Sequence, residues 1–273
     1  VRSYTREKKI HCGDKYMEVD IYPYTDNQDN VHKRGKRSKK KKVSAPKQKN
    51  LNNKNSRRKF IQISKANFRE NDLHITATYK NKYIPNTKEE ADKITSNYLR
   101  RIRYRREREG LEPLKYIIVT ECETAKDNKE KIIRIHHHII MNGGLDRDIV
   151  EDLWCMKRKK GQKKGDRIGI VNATRLQPDE EHGIAGLANY LSKDPCGKRR
   201  WSCSQNLDKP WSRTNDHKYS KRQIERLAKN PPDIAYWETQ YKGWKLAKDE
   251  YGTRTEYNDI TGWSIYLKFY KRE

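Results

Sequence analysis

Apolar residues are scarce in this chain. Only 33% of its 273 residues are hydrophobic, with 3 Phe and 3 Met. No apolar run approaches the ~20 residues that cross a bilayer. The first residues hold no apolar signal-peptide core, so neither secretion nor membrane insertion is expected. Cysteine is sparse as well. Cys12, Cys122, Cys155, Cys196 and Cys203 form no CxxC pair, and an odd, irregular set suggests neither a disulfide framework nor a zinc ribbon. A reducing, cytoplasmic setting is expected. No GxxxxGK[ST] element occurs, so no P-loop helicase is attached.

What the chain has in abundance is positive charge. Lys and Arg number 63 against 37 Asp and Glu, a formal net charge of +26. Such an excess calls for a polyanionic partner, with nucleic acid foremost and an anionic membrane surface as the rival. The 17 Tyr and 6 Trp argue against a wholly disordered chain.

The charge is unevenly spread. Between Asp29 and Glu70 there is no acidic residue, while Lys and Arg occur 16 times. Residues 31–59 show no apolar period and are rich in Lys, Asn and Ser, which reads as a disordered basic linker that contacts phosphates. It separates an N-terminal strand segment, 1–30, from a globular domain over 60–204. A Trp-rich extension, 205–273, follows.

Within the globular part, Leu73, Ile75, Ala77 and Tyr79 alternate with polar residues, which predicts a half-buried strand. Ala91, Ile94, Tyr98 and Ile102 recur at three and four and predict a long helix whose end is crowded with arginines. Lys115–Glu123 and Lys131–Met141 flank a polar turn and predict a hairpin. A helix is expected from Asp146 to just before Gly161, then a strand over Gly165–Leu176, then a helix from Pro178 through Lys193. Further on, a helix over Ser220–Asn230 and a strand over Ile260–Tyr270 are expected. The order places a hairpin at the centre, so the fold class is α+β with a mostly antiparallel central sheet and flanking helices.

The sharpest feature is His136-His137-His138 on the predicted second hairpin strand. Alternate side chains share a face, so His136 and His138 converge while His137 joins the apolar face of Ile135 and Ile139. His137 therefore reads as a satisfied core histidine. Two imidazoles at this spacing can hold one metal ion, without choosing which. Glu121 and Glu123 share one face of the partner strand and offer an oxygen ligand; Glu121, nearer the middle of the hairpin, is preferred.

The second feature is EEHGIAGLANYLSKDP. Ile184, Leu187, Ala188 and Leu191 form its core stripe, and Tyr190 and Lys193 lie off it, with Gly183 and Gly186 one or two turns before. A phenol beside an ammonium, near a backbone bare of side chains, suits an approaching phosphate. Together with a metal site and a strong positive charge, this suggests phosphodiester chemistry.

The ordered set resembles the HUH endonucleases that initiate rolling-circle replication. LHITATY is similar to their first motif, RIHHHIIM to the second and ANYLSK to the third, across Leu73 to Lys193, with VTECE where a Glu often precedes the histidine strand. KRRWSCSQNL also resembles phage- and plasmid-type members. The resemblance implies an antiparallel sheet with flanking helices. It implies His136, His138 and Glu121 as ligands of a divalent metal, Mg²⁺ or Mn²⁺, with Tyr190 as nucleophile and Lys193 as its helper. The implied product is a 5′-phosphotyrosine and a free 3′-OH. The implied partners are single-stranded or supercoiled origin DNA and the helicase and polymerase of a bacterial host, in its cytoplasm. Two departures stand out. The position between the histidines, usually hydrophobic, is His137. Gly186 and Asp194 stand four residues either side of Tyr190, so no second tyrosine shares its helix face, and closing a circle calls for a second protomer or a second nucleophile.

Relaxases and tyrosine transposases share this chemistry, but a tyrosine that follows the histidines favours the replication type. A 2′,3′-cyclic phosphate esterase needs a second HxT beside His74-Ile75-Thr76, and none is present. A basic DNA- or RNA-binding protein without catalysis is the remaining alternative. For DNA contacts, Arg100, Arg101, Arg103, Arg199 and Arg200 are expected to meet the backbone. Trp201 and Trp211 are expected to stack on unpaired bases or to serve the core.

Overall fold

The computed structural model describes residues 3–28, 45–125, 132–177, 186–187, 200–248 and 252–271. In chain order its strands and helices are β1 (Ser3–Cys12), β2 (Tyr16–Thr25), α1 (Pro46–Asn67), β3 (Leu73–Thr78), α2 (Lys88–Arg108), β4 (Tyr116–Thr124), β5 (Ile132–Met141), α3 (Arg147–Asp152), β6 (Val171–Arg175), β7 (Ser202–Cys203), β8 (Trp211–Asn215), α4 (Lys221–Lys229), α5 (Ile234–Gln240), β9 (Trp244–Leu246), β10 (Thr253–Asn258) and β11 (Gly262–Lys271). The chain is α+β with two antiparallel sheets. It divides into two compact units, one made of Val1–Asn53 with Asp208–Glu273 and one of Lys54–Leu207.

The second unit holds the histidine strand. Its sheet runs β6-β3-β5-β4-β7, every pairing antiparallel, with β5 in the middle. The alternation of β5 gives each face a separate core. On one face, Ile139 and Met141 join Ile75 and Ala77 of β3 and Ile118 of β4 against Tyr98, Leu99 and Ile102 of α2. On the other, Ile140 joins Ile117 and Val119 of β4 against Phe60 and Ile63 of α1. Helices thus cover both faces.

The predicted stripe does seat α2. Thr87 caps it by accepting from Glu90 N, Glu89 and Glu90 occupy the first turn, and Arg105, Arg106 and Arg108 the last, as the helix dipole favours. By contrast, α3 is shorter than the helix expected up to Gly161. Asp146 caps its start, but after Asp152 the buried Trp154 turns inward and donates from Nε1 to Thr78 O at 2.8 Å. Cys155 then bridges to Arg167, which closes the basic loop between them. Gly169 lies against the carbonyl of Thr78, where any Cβ would clash. The strand expected over Gly165–Leu176 is correspondingly confined to β6.

The linker expected over 31–59 falls outside the described residues in its first half and needs a correction over its second. From Pro46 the chain is helical, and the buried end of α1 carries Phe60 and Ile63. The polar turns before Phe60 propagate from that anchored end at small cost, because extending a helix fixes one residue per hydrogen bond while starting one fixes several. Lys, Gln and Arg are good helix formers and Pro suits a first helical position. Trp201 holds the helix by donating from Nε1 to Ser56 O and Oγ at 3.2 and 3.0 Å and by packing its ring on Phe60 at 5.9 Å.

The N-terminal segment and the C-terminal extension, read separately in the sequence, form one sheet in the first unit. Its order is β10-β11-β2-β1-β8, with β9 also on β11. Met17, Val19 and Ile21 of β2 and Ile265, Leu267 and Phe269 of β11 pack against Ile224 and Leu227 of α4 and Trp237 of α5. An isolated two-stranded hairpin is marginal in water, so the β1–β2 hairpin and the C-terminal strands complete one another.

No described helix is long and apolar enough to cross a membrane. Cys12, Cys155 and Cys203 are reduced thiols, whereas Cys122 is disulfide-bonded, a bond that the irregular cysteine spacing does not signal.

Candidate metal centre

The β4–β5 register sets Glu121 opposite His136 and Val119 opposite His138. Because side chains alternate, Glu121, His136 and His138 share the face that carries Ile140 and Ile117. Burial falls along β5 away from α1: Ile140 is 1% exposed, the His138 side chain 7% and the His136 side chain 23%. The cluster therefore lies where the apolar packing under α1 gives way to solvent. Glu123, the other carboxylate considered, is exposed and pairs in register with Arg134.

The three side chains meet. His136 Nε2 donates to Glu121 Oε2 at 2.9 Å, and His138 Nε2 lies 3.8 Å from the same oxygen. One ligand atom from each falls within 4.8 Å of the others. Burial above all pushes His138 down to about 4; His74 and His136 act in the same direction and the Glu121 carboxylate opposes them. His138 is therefore neutral at pH 7, with a lone pair to offer. Two imidazole nitrogens and a carboxylate oxygen fit a divalent first-row ion, and the mixed set suits Mn²⁺ better than Mg²⁺, which prefers oxygen alone.

A residue outside the sequence candidates completes the cluster. His74 of β3 lies with its Nε2 3.3 Å from His138 Nδ1, and Thr76 Oγ1 lies at the same distance. The two rings stack at 5.5 Å. His138 can thus turn Nε2 toward the Glu121 side while Nδ1 is held from behind. The signal in the sequence is the alternation His74-x-Thr76, which shares the face of His138 only once β3 is known to pair with β5.

His137 points the opposite way, as expected. It is fully buried, with Nε2 2.8 Å from Tyr79 Oη and 3.1 Å from Thr95 Oγ1, and Nδ1 2.9 Å from Thr120 Oγ1. Burial, assisted by Lys88, pushes it down to about 3.

Tyr190, Lys193 and Arg199 lie outside the described residues. Of the helix expected from Pro178 through Lys193, only Gly186 and Leu187 are described. Both are helical, and Leu187 packs against the core cluster of Phe60, Val119 and Ile140. That cluster is on the sheet face of Glu121 and His138.

The arginines divide. Arg100 and Arg103 are exposed. Arg101 is half-buried, and its donors go to the carbonyls of Leu153 (3.0 Å) and Cys155 (2.8 Å), tying α2 to the turn after α3. Arg100 and Arg101 line a cleft of about 490 Å³ with Lys157, Arg158, Lys163 and Lys164, on the α2 side of the sheet. Arg200 lines a smaller cavity on that side with Thr120 and Lys88. Four of the six basic residues of the 155–165 loop line this cleft and are phosphate-contact candidates beyond those read from the sequence. Their spacing looks like an ordinary solvated turn until the loop closes on α2.

Comparison with known proteins bears on this geometry. Residues 72–195 match the family model of the replication-associated protein ORF2. The match covers a little under half of the chain and includes Glu121, the three histidines, Tyr190 and Lys193. It supports a role in replication for the unit that holds the cluster. No curated protein and no solved structure matches the chain.

Proposed function

We propose that the chain nicks and rejoins single-stranded DNA and thereby initiates rolling-circle replication of a plasmid or phage-like element. The observation that carries this reading is the Glu121–His136–His138 group at the open end of a sheet face, inside the segment that matches the replication-associated family. The packing of Leu187 on the same face supports it, since Tyr190 follows three residues later.

His136, His138 and Glu121 would hold a divalent ion, which would supply Lewis acidity at the scissile phosphate. The Tyr190 phenolic oxygen attacks phosphorus, the P–O3′ bond breaks, and the 3′ oxygen takes up the proton that the phenol gives up. The products are a 5′-phosphotyrosine and a free 3′-OH. Lys193 stabilises the phenolate, which otherwise forms only near pH 10, and neutralises phosphate charge. The reverse attack by a 3′-OH rejoins the strand. Closing the circle takes a second protomer or a second nucleophile. The host supplies the helicase and the polymerase that extends the 3′-OH. Arg100, Arg103 and the basic loop hold the backbone by counterion release.

The test is cleavage of a labelled single-stranded library containing the element's origin, with Mn²⁺. The expected products are an extendable 3′-OH fragment and a protein-linked 5′-phosphate fragment. Tight binding to the origin without cleavage contradicts the reading and leaves a basic DNA-binding protein.

A further inference from the structure

The first unit ends its sheet on β8, an edge strand whose five residues are all exposed. Trp211, at its start, is 49% exposed. The other tryptophans have structural work: Trp154 and Trp237 are fully buried, Trp201 is held on α1, and Trp244 and Trp263 pack half-buried against the core of the first unit. Trp211 instead lies nearly parallel to His11, its register partner on β1, with ring centroids 4.2 Å apart and planes 14° apart. Trp244 meets His11 at 6.0 Å, edge on. Three flat rings therefore form a row across one end of the sheet.

Cations flank the row. The Arg213 guanidinium is 5.1 Å from the Trp211 ring, Lys9 sits opposite Arg213 in register, and the Lys271 ammonium is 5.3 Å from the Trp244 ring. Burial, with Lys9 and Arg213, lowers the proton affinity of His11, so the imidazole under Trp211 is neutral at pH 7 and the stack adds no positive charge of its own.

We propose that the Trp211–His11–Trp244 row docks unpaired nucleotides of single-stranded DNA. Bases stack on the exposed indole while Arg213, Lys9 and Lys271 meet the phosphates. A ligand for this surface must combine flat faces with closely spaced negative charge. Unpaired DNA offers both, whereas a duplex hides its base faces in its own stack. The inference takes from the proposed function only that DNA is the partner; it requires no nicking chemistry.

The test uses the full chain and fluorescence anisotropy at one fixed salt concentration. The probes are a labelled oligo-dT, an oligo-rU of equal length and a hairpin duplex of equal charge. Trp211→Ala is expected to weaken oligo-dT binding about tenfold, within the range of one lost base stack. Trp211→Phe should restore most of that affinity, duplex binding should change less than about twofold, and oligo-rU should bind no better than oligo-dT. Thermal melting checks the fold, and the exposed position predicts an unchanged midpoint. Unchanged oligo-dT binding, an equal loss on the duplex, or a preference for oligo-rU overturns the inference. A covalent-adduct assay on the same proteins separates the two proposals. Selective single-strand loss without any adduct in wild type keeps this inference and sinks the nicking reading, and the converse result does the reverse.

Discussion

His136 and Glu121 stand opposite one another in the β4–β5 register, and their side chains meet at 2.9 Å on the sheet face that also carries His138. A carboxylate hydrogen-bonded to one imidazole and 3.8 Å from a second is already arranged to share an ion with both. Glu121→Gln and His138→Ala are each expected to weaken Mn²⁺ binding at least tenfold in calorimetry, with Mn²⁺ bound more tightly than Mg²⁺ by the wild type. Unchanged Mn²⁺ affinity in both variants contradicts the assignment.

His74 is expected to act on the metal through His138. His74→Ala should lower Mn²⁺ affinity by about tenfold, as loss of an outer hydrogen-bond partner typically does. His74→Gln, which keeps a polar group behind His138, should recover part of it. A melting temperature shift with no change in Mn²⁺ affinity would mark His74 as purely structural.

His137 predicts a pH dependence of stability in metal-free protein. Its folded-state value near 3 lies below the ordinary 6.5. The unfolded chain therefore binds the extra proton between those limits. The stabilisation is complete above about pH 6.5 and declines as the pH falls toward 3, by about 1.4 kcal/mol per pH unit. Denaturant unfolding between pH 7 and 5 should show this slope, and His137→Gln should be less steep by about that amount. Equal slopes would mean that His137 is protonated in the folded state.

Arg106 and Arg103, three residues apart on α2, should behave oppositely. Arg106 is 2% exposed and donates to the carbonyls of Glu112 (2.9 Å), Asn142 (3.1 Å) and Gly143 (2.7 Å). Arg106→Ala should cost about 3 kcal/mol in chemical unfolding, because three carbonyls lose a charged donor. Arg103 is exposed. Arg103→Ala should leave stability within about 0.5 kcal/mol and reduce the salt dependence of DNA binding by about one ion.

The alternation around His136-His137-His138 was enough to tell the paired imidazoles from the buried one, because a strand has only two faces. The long helix was legible from Ala91, Tyr98 and Ile102. What stayed hidden depends on contacts distant in sequence. His74 joins the cluster only through the β3–β5 register, and Arg101 and Arg106 look like any surface arginine until the carbonyls they bind are known. The first turns of α1 carry no apolar period, since its apolar anchors begin only at Phe60. The first unit's sheet is assembled from both ends of the chain, a pairing that no local pattern announces.

Tyr190 bears the central claim, and a covalent DNA adduct is its most direct readout. Wild type and Tyr190→Phe would be incubated with origin single strands and Mn²⁺, and the adducts resolved on denaturing gels and mapped by peptide mass spectrometry. The account predicts a metal-dependent adduct on the peptide containing Tyr190, absent from Tyr190→Phe although that variant still binds the DNA. An adduct that persists in Tyr190→Phe, or none in wild type on DNA it binds tightly, would contradict it.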